Sequence, residues 1–194
     1  MIKKISTVLY GVAFTKKLKI LFSTKKTKDI VFTKAKKAEV FFILKNVAVF
    51  FGGKAPEREI SIITGVFVLN SIDKSKFNPI PFFIDGDGTF FTGEKLFNLD
   101  FYKTIDRKLI TECSLLAGEN KIYTLKRGKL KSAVEIYAGI NCIHGRYGED
   151  GSLLGLTTFC DIPLVSPGIF AESFSIDKDF TKLLLKALEI KQVE

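Results

Sequence analysis

Val47-Ala48-Val49-Phe50-Phe51 is an unbroken run of β-branched and aromatic residues, and it stops at the pair Gly52-Gly53. A strand with one wet face alternates apolar and polar residues; an unbroken run is what a parallel strand shows when layers cover both its faces. The run is therefore read as the first strand of an α/β sheet. Beyond the glycines come Glu57, Glu59 and Ser61, then Ile62, Ile63, Val66, Leu69 and Ile72 at helical spacing. A helix is predicted from near Pro56 to Asp73, with acidic residues at its start complementing the helix dipole.

Pro79-Ile80-Pro81-Phe82-Phe83-Ile84 reads as a second strand, its prolines confined to the beginning, and Asp85-Gly86-Asp87-Gly88 is a tight-turn signal before Thr89-Phe90-Phe91. The acidic turn is not a calcium loop of the EF-hand type: counted from Asp85, Phe90 and Leu96 stand where glycine and glutamate are required. Residues 98–131 form a mixed, hairpin-bearing insertion with no evident chemistry. Glu135 to Ile143 reads as another buried strand, Ser152 to Phe159 as a short helix and Ile162 to Val165 as a short strand. Ser166-Pro167-Gly168 is a break, and a last helix from about Asp177 carries Phe180, Leu183, Leu184, Leu185 and Leu188. This order predicts an α/β fold, a doubly wound and mainly parallel sheet, followed by the opening of a second domain.

The chain has a formal net charge of +9, but the charge is not spread along it. Residues 1–46 carry twelve lysines against Asp29 and Glu39, while the remaining residues are close to neutral. A basic block of this kind reads as a solvated, low-complexity leader and not as a specific reader of nucleic acid. Its apolar run from Ile5 to Phe14 lacks a small-x-small cleavage signal, and no stretch reaches about 18 apolar residues, so neither a signal peptide nor a transmembrane helix is expected. Cys113, Cys142 and Cys160 have no C-x-x-C spacing, and with one histidine they cannot build a tetrahedral zinc site. Reduced thiols suit a cytoplasmic protein.

Chemistry-bearing residues gather where the predicted strands end. Glycines after a parallel strand leave amides at the mouth of the next helix, an arrangement suited to a carboxylate or other anion, although the spacing is neither of the common nucleotide-loop patterns. His144, the only histidine, follows a predicted strand and precedes Gly145-Arg146-Tyr147-Gly148-Glu149-Asp150-Gly151. Open α/β sheets bind ligands outside the carboxyl ends of their strands. One carboxylate, Glu57, is suited to an ammonium group, and a second, Glu149, to orienting the imidazole. The residues by themselves suggest a site for a small zwitterion. Lys178, between Asp177 and Asp179, reads either as an exposed lysine or as a phosphate contact, and Cys142 as core packing.

Taken together, Phe51-Gly52-Gly53-Lys54-Ala55-Pro56-Glu57-Arg58-Glu59-Ile60-Ser61, then Ile143-His144-Gly145-Arg146-Tyr147-Gly148-Glu149-Asp150-Gly151, then Ile162-Pro163 and Ile176-Asp177-Lys178 closely resemble the D-alanine:D-alanine ligase family. The HGxxGEDG element is the most specific of these. The resemblance implies a Rossmann-like, pre-ATP-grasp amino-terminal domain over 47–166, the first elements of an ATP-grasp domain over 167–194, and a leader over 1–46 that has no counterpart. It implies an enzyme that joins two D-alanines for peptidoglycan, using ATP and magnesium through an acyl phosphate. Glu57 then matches the glutamate that holds the first D-alanine's amino group, His144 the histidine beside its carboxylate, Glu149 its neighbour, and Lys178 a lysine that contacts ATP phosphates. Glu57 and His144 are the catalytic candidates. A homodimer through the first domain is the family expectation.

Ala55 replaces a common serine and Ser166 a usual glycine. The family's magnesium carboxylates, oxyanion-stabilising arginine and lid loop are expected beyond Glu194, so the 194 residues are expected not to turn over alone. The alternative is a non-catalytic amino-acid-binding or interaction module derived from the ligase.

Overall fold

The computed structural model describes residues 44–193, and the lysine-rich leader expected over 1–46 lies outside them up to position 43. Seven strands form one sheet: β1 (Lys45–Gly52), β2 (Phe77–Ile84), β3 (Phe90–Thr92), β4 (Thr111–Leu116), β5 (Glu119–Lys126), β6 (Lys129–Glu135) and β7 (Ala138–Asn141). Four helices accompany them: α1 (Arg58–Ser71), α2 (Ser152–Phe159), α3 (Ile169–Ser175) and α4 (Lys178–Ala187). The strand order is β6-β5-β4-β3-β2-β1-β7. Its parallel centre is β2-β1-β7, and β3 to β6 enlarge the sheet on one side by antiparallel pairing.

The unbroken apolar run behaves as its composition requires. Ala48 and Phe50 point to one face, where they join Phe82, Leu153, Cys160 and Ile162, so α2 covers that side. Val49 and Phe51 point to the other face and join Ile62, Val66 and Leu69 of α1, with Phe83 and Leu96. Neighbouring parallel strands stack aromatic on aromatic: the Phe50 and Phe82 rings are 4.9 Å apart, and those of Phe51 and Phe83 are 5.5 Å apart. Gly65 of α1 lies directly on Phe51, where any Cβ would collide with the ring. The doubly wound layer is thus built on two faces of one strand.

β6 and β7 lie at opposite edges of the sheet yet only Ile136 and Tyr137 separate them. Three residue steps span at most about 11 Å, so the sheet must curl until its edges approach. The antiparallel wing accordingly folds over the α2 face, and Cys113, Ile122 and Ile136 enter the same core as Phe50. This corrects the strand expected over Glu135–Ile143. Glu135 closes β6, the chain then changes partners as the Tyr137 amide donates to Asn46 O at 2.9 Å, and β7 ends where Asn141 Oδ1 takes the Ile143 amide at 2.9 Å.

The strand expected over Ile162–Val165 is also smaller than predicted, a single parallel bridge between Leu164 and Gly139. Pro163 has no amide to extend a ladder, and the Ser166-Pro167-Gly168 break follows at once. Beyond the break stands α3, a seven-residue helix too short for its periodicity to register in the sequence; buried Glu172 anchors it by accepting the Ser166 hydroxyl at 2.5 Å. Among the described residues, no helix is long and apolar enough to cross a membrane.

Candidate functional site

The carboxyl ends of β1 and β7 deliver the glycine turn and the His144–Gly151 loop to the same edge of the sheet, as the parallel pairing of these strands demands. Ser61, fully buried on α1, ties them together. Its hydroxyl accepts the Gly52 amide at 2.8 Å and donates to Cys142 O at 2.8 Å, so one side chain closes the ends of both strands. Gly52 has φ of 91° and a Cβ there would run into Ile84 O, which leaves glycine as the residue this turn accepts.

The two glycine amides are not available to a ligand, contrary to the expectation drawn from the turn. Gly52 N–H is held by Ser61, and Gly53 N–H donates to Ile84 O at 2.7 Å. Their acceptors come from α1 and from β2, neither of which can be inferred from the Gly-Gly pair itself.

Glu57 immediately precedes α1, exposed at the sheet edge, and its backbone carbonyl accepts the Ser61 amide at 3.0 Å. Its carboxylate lies against the backbone of Gly145. A Cβ on Gly145 would stand 2.6 Å from Glu57 Oε2, and Gly145 has φ of 71°, so both shape and backbone require glycine beside the carboxylate. Next to it, His144 is half-buried, with Nε2 at 3.0 Å from Thr64 Oγ1. Glu57 and His144, 87 positions apart, are thereby brought to one place.

Glu149 is at the same loop but does not orient the imidazole. Its Oε2 accepts the Gly145 amide at 2.8 Å while its own amide donates to Gly145 O at 2.9 Å, a reciprocal clasp that closes the loop. Asp150 secures the next turn one way only, its carboxylate accepting the amides of Tyr147 at 2.9 Å and Ser152 at 3.0 Å. Burial alone would raise the Asp150 carboxyl, but the Tyr147 amide, helped by Ser152, holds it below its usual range. The acidic pair of the motif is thus bonded to the loop's own backbone, and the imidazole's partner is Thr64.

Arg58, one residue after Glu57, secures the start of α1. It donates to Asp85 Oδ1 at 2.6 Å, and Arg107 donates to Asp85 Oδ2 through Nε at 2.9 Å and Nη2 at 2.5 Å and to Asp87 Oδ2 at 2.8 Å. Partial burial acts to raise Asp85, yet the Gly86 amide and the two guanidinium groups hold its carboxyl down. The acidic turn dismissed as a calcium loop is an anchor for two arginines. Cys142 is buried and its thiol is pushed up to about 11 by that burial, in keeping with core packing.

Lys178 stands apart. It is exposed in the first turn of α4, and among the described residues no hydrogen bond or ion pair joins it to Glu57, His144 or Glu149. The first amides of that helix are capped by Asp177, which accepts from Asp179 at 3.0 Å and Phe180 at 3.1 Å. Among the described residues there is also no group of three or more metal-ligating side chains. On the α2 side, a mostly apolar cavity of about 230 Å³ is lined by Gly53, Ile84, Phe90, Ile143, Leu153 and Leu156 with Lys54 and Tyr147 among its polar residues.

Thr64, the bonding role of Ser61 and the arginine-anchoring role of Asp85 are what sequence reasoning did not single out. A usable signal existed for the first: Thr64 lies seven positions after Glu57, two helical turns on, and therefore on the same side of α1.

Comparison with known proteins is specific. The profile of the D-ala D-ala ligase N-terminus matches residues 46–167. A D-alanine–D-alanine ligase of Thermosipho melanesiensis is 38% identical over 146 residues, covering 74% of this chain and 40% of that protein. One of Thermosipho africanus is 35% identical over 147 residues, again 74% of this chain and 39% of the relative. Among solved structures, the D-alanine–D-alanine ligase of Helicobacter pylori superposes with a TM-score of 0.66 at 30% identity, over 77% of this chain and 46% of that one. VanG, the D-Ala:D-Ser ligase of Enterococcus faecalis, gives 0.66 at 25% identity over 78% and 44%. The chain spans about two-fifths of the length of the curated relatives it matches.

Proposed function

Because this chain belongs to the D-alanine–D-alanine ligase family, through that family's amino-terminal domain, we propose that it forms the first-substrate side of an ATP-dependent ligase that joins two D-alanines for peptidoglycan. Residues 47–166 are the amino-terminal domain in this reading, and 167–194 open the ATP-grasp domain. The observation that carries it is the meeting of Glu57 with the His144-Gly145 corner at the carboxyl edge of the parallel strands. An exposed carboxylate there suits the ammonium of an amino acid, and the imidazole beside it suits the carboxylate. Glu149 contributes to the substrate site by holding the loop on which His144 and Gly145 sit.

ATP and Mg²⁺ are the family's cofactors, and in the ligase reaction they activate the first carboxylate for attack by the second amine. Lys178, exposed in the first turn of α4, is the residue of this reading that contacts ATP phosphate, and among the described residues there is no group of three or more metal-ligating side chains for Mg²⁺. The part of the reaction assigned to these residues is to bind and orient one amino acid. The same proposal places the protein in the cytoplasm, in keeping with three free, buried cysteines. It takes a second copy of the chain as the partner for the outward stripe of α1, where Ile60, Ile63 and Phe67 are 55%, 50% and 70% exposed. Sedimentation of the chain and of Phe67→Glu tests that pairing: a dimer lost in the variant is expected, and a monomeric parent overturns it.

A hybrid tests the function directly. Residues 46–167 replace the matching segment of the T. melanesiensis ligase, and D-alanine-dependent ADP release is measured. The hybrid is expected to turn over, the 194-residue chain alone not to, and Glu57→Ala in the hybrid to lose about 100-fold, the scale for removing one partner of a charge-assisted pair. A folded but inert hybrid, with calorimetric D-alanine binding to the 194-residue chain by itself, would instead identify a binding module.

A further inference from the structure

We propose that Thr64 is the positioning residue of His144, and that its hydroxyl holds the neutral imidazole in the tautomer with the proton on Nδ1. The contact is Thr64 Oγ1 to His144 Nε2 at 3.0 Å, between residues 80 positions apart. A threonine inside a helix commonly turns its hydroxyl back to a carbonyl three or four residues earlier. Thr157 and Thr158 of α2 do this, with Leu153 O and Leu154 O as their acceptors. Thr64 does not: among the described residues its only side-chain hydrogen bond is to the imidazole.

Either direction of the bond leaves one donor over, on the hydroxyl or on the ring. If Nε2 carried the proton and donated to Oγ1, the threonine's own O–H would have no acceptor among the described residues. With the proton on Nδ1, the hydroxyl donates to Nε2 and the one donor left without an acceptor is the ring N–H, the group that an anionic ligand beside Glu57 would take. Nδ1 makes no hydrogen bond among the described residues, so the ring atom left to a ligand is an N–H donor. A donor fits an anionic group, and Glu57, one residue from the ring at Gly145, fits a cationic one. The two ends of a zwitterion are thereby assigned, and α1 sets both, since Glu57 and Thr64 are two turns apart on one side of it. The choice of tautomer and the ligand half of this inference rest on the ligase reading; the Thr64–His144 contact does not.

The chain's single histidine makes the experiment direct, because ¹⁵N labelling gives one imidazole pair. Above the imidazole's titration range, the ligand-free chain is expected to show a directly bonded proton on Nδ1 and a pyridine-type resonance from Nε2. Thr64→Val, which keeps the branched shape and removes the hydroxyl, is expected to shift the ring toward the Nε2–H form that free imidazole side chains favour in water. Thr64→Ser is expected to restore the parent pattern, which a packing role would not do. An Nε2–H ring in the parent chain, or an unchanged spectrum in folded Thr64→Val, overturns the proposal. Should the valine variant fail to fold, the parent and serine spectra decide it. D-alanine is absent throughout, so a failure here leaves the ligase reading intact, and an inert hybrid leaves Thr64 intact.

Discussion

β1 and β6 are strands of nearly equal length in the same sheet, and they differ in almost every other respect. β1 is buried at six consecutive positions, lies between two parallel neighbours and ends at the candidate site. β6 is exposed at all positions but Val134, pairs on one side only and ends at the turn into β7. The difference shows what a sequence records well. A strand covered on both faces has little freedom in composition, whereas an edge strand is constrained at one residue in several and reads as an insertion. Chemistry gathers at the first kind because its ends are held by rigid, fully bonded surroundings.

The contrast is tested most strongly in the core. Phe82→Ala is expected to cost about 3–5 kcal/mol, against less than about 0.5 kcal/mol for Leu130→Ala on the exposed wing, read from urea midpoints. Similar losses would mean that the wing shares the core's stability. Next in size are two glycines. Gly52→Ala adds a collision with Ile84 O to a backbone at φ 91°, while Gly128, at φ 69°, faces open space. The strain common to both is about 1–2 kcal/mol, and overpacking adds about 1–3 kcal/mol for Gly52 alone.

Ser61→Ala comes third. It strands the Gly52 amide and Cys142 carbonyl in the interior, and a loss of about 1–3 kcal/mol is expected; amide exchange at Gly52 should accelerate with it. An unchanged exchange rate would show that Ser61 does not hold the strand ends. The smallest effect is on acid stability. Asp85 is held below its ordinary value of 3.8 in the folded state, so its contribution is present above that pH and is lost as the pH falls through the folded value. Asp85→Asn should flatten this acid limb of the unfolding curve, and a curve of identical slope would remove Asp85 from the account.

How much was legible can be judged from single residues. The run Val47–Phe51 placed the first strand and both of its covering layers, since only burial on two faces explains it. Helical spacing from Ile62 onward placed α1 within a few residues of Arg58–Ser71. The HGxxGEDG loop was visible as a unit, but the work of its acids was not: Glu149 was expected to orient the imidazole and instead clasps Gly145. The glycine turn was visible too, yet its amides proved engaged by Ser61 and Ile84. α3 and the divided Glu135–Ile143 segment escaped because short elements and changes of partner leave no period to detect.

By itself, then, the sequence determined the α/β class, the covered strand, the helix behind it and the two loops that define the family, because local spacing reports which faces are buried. Only the tertiary structure decided which donor meets which acceptor: Thr64 with His144, Glu57 against Gly145, Ser61 between the ends of β1 and β7. Those pairings join residues up to 88 positions apart. A polar group bonds to whatever the packed chain sets within about 3 Å of it, and that neighbour is fixed by the fold as a whole.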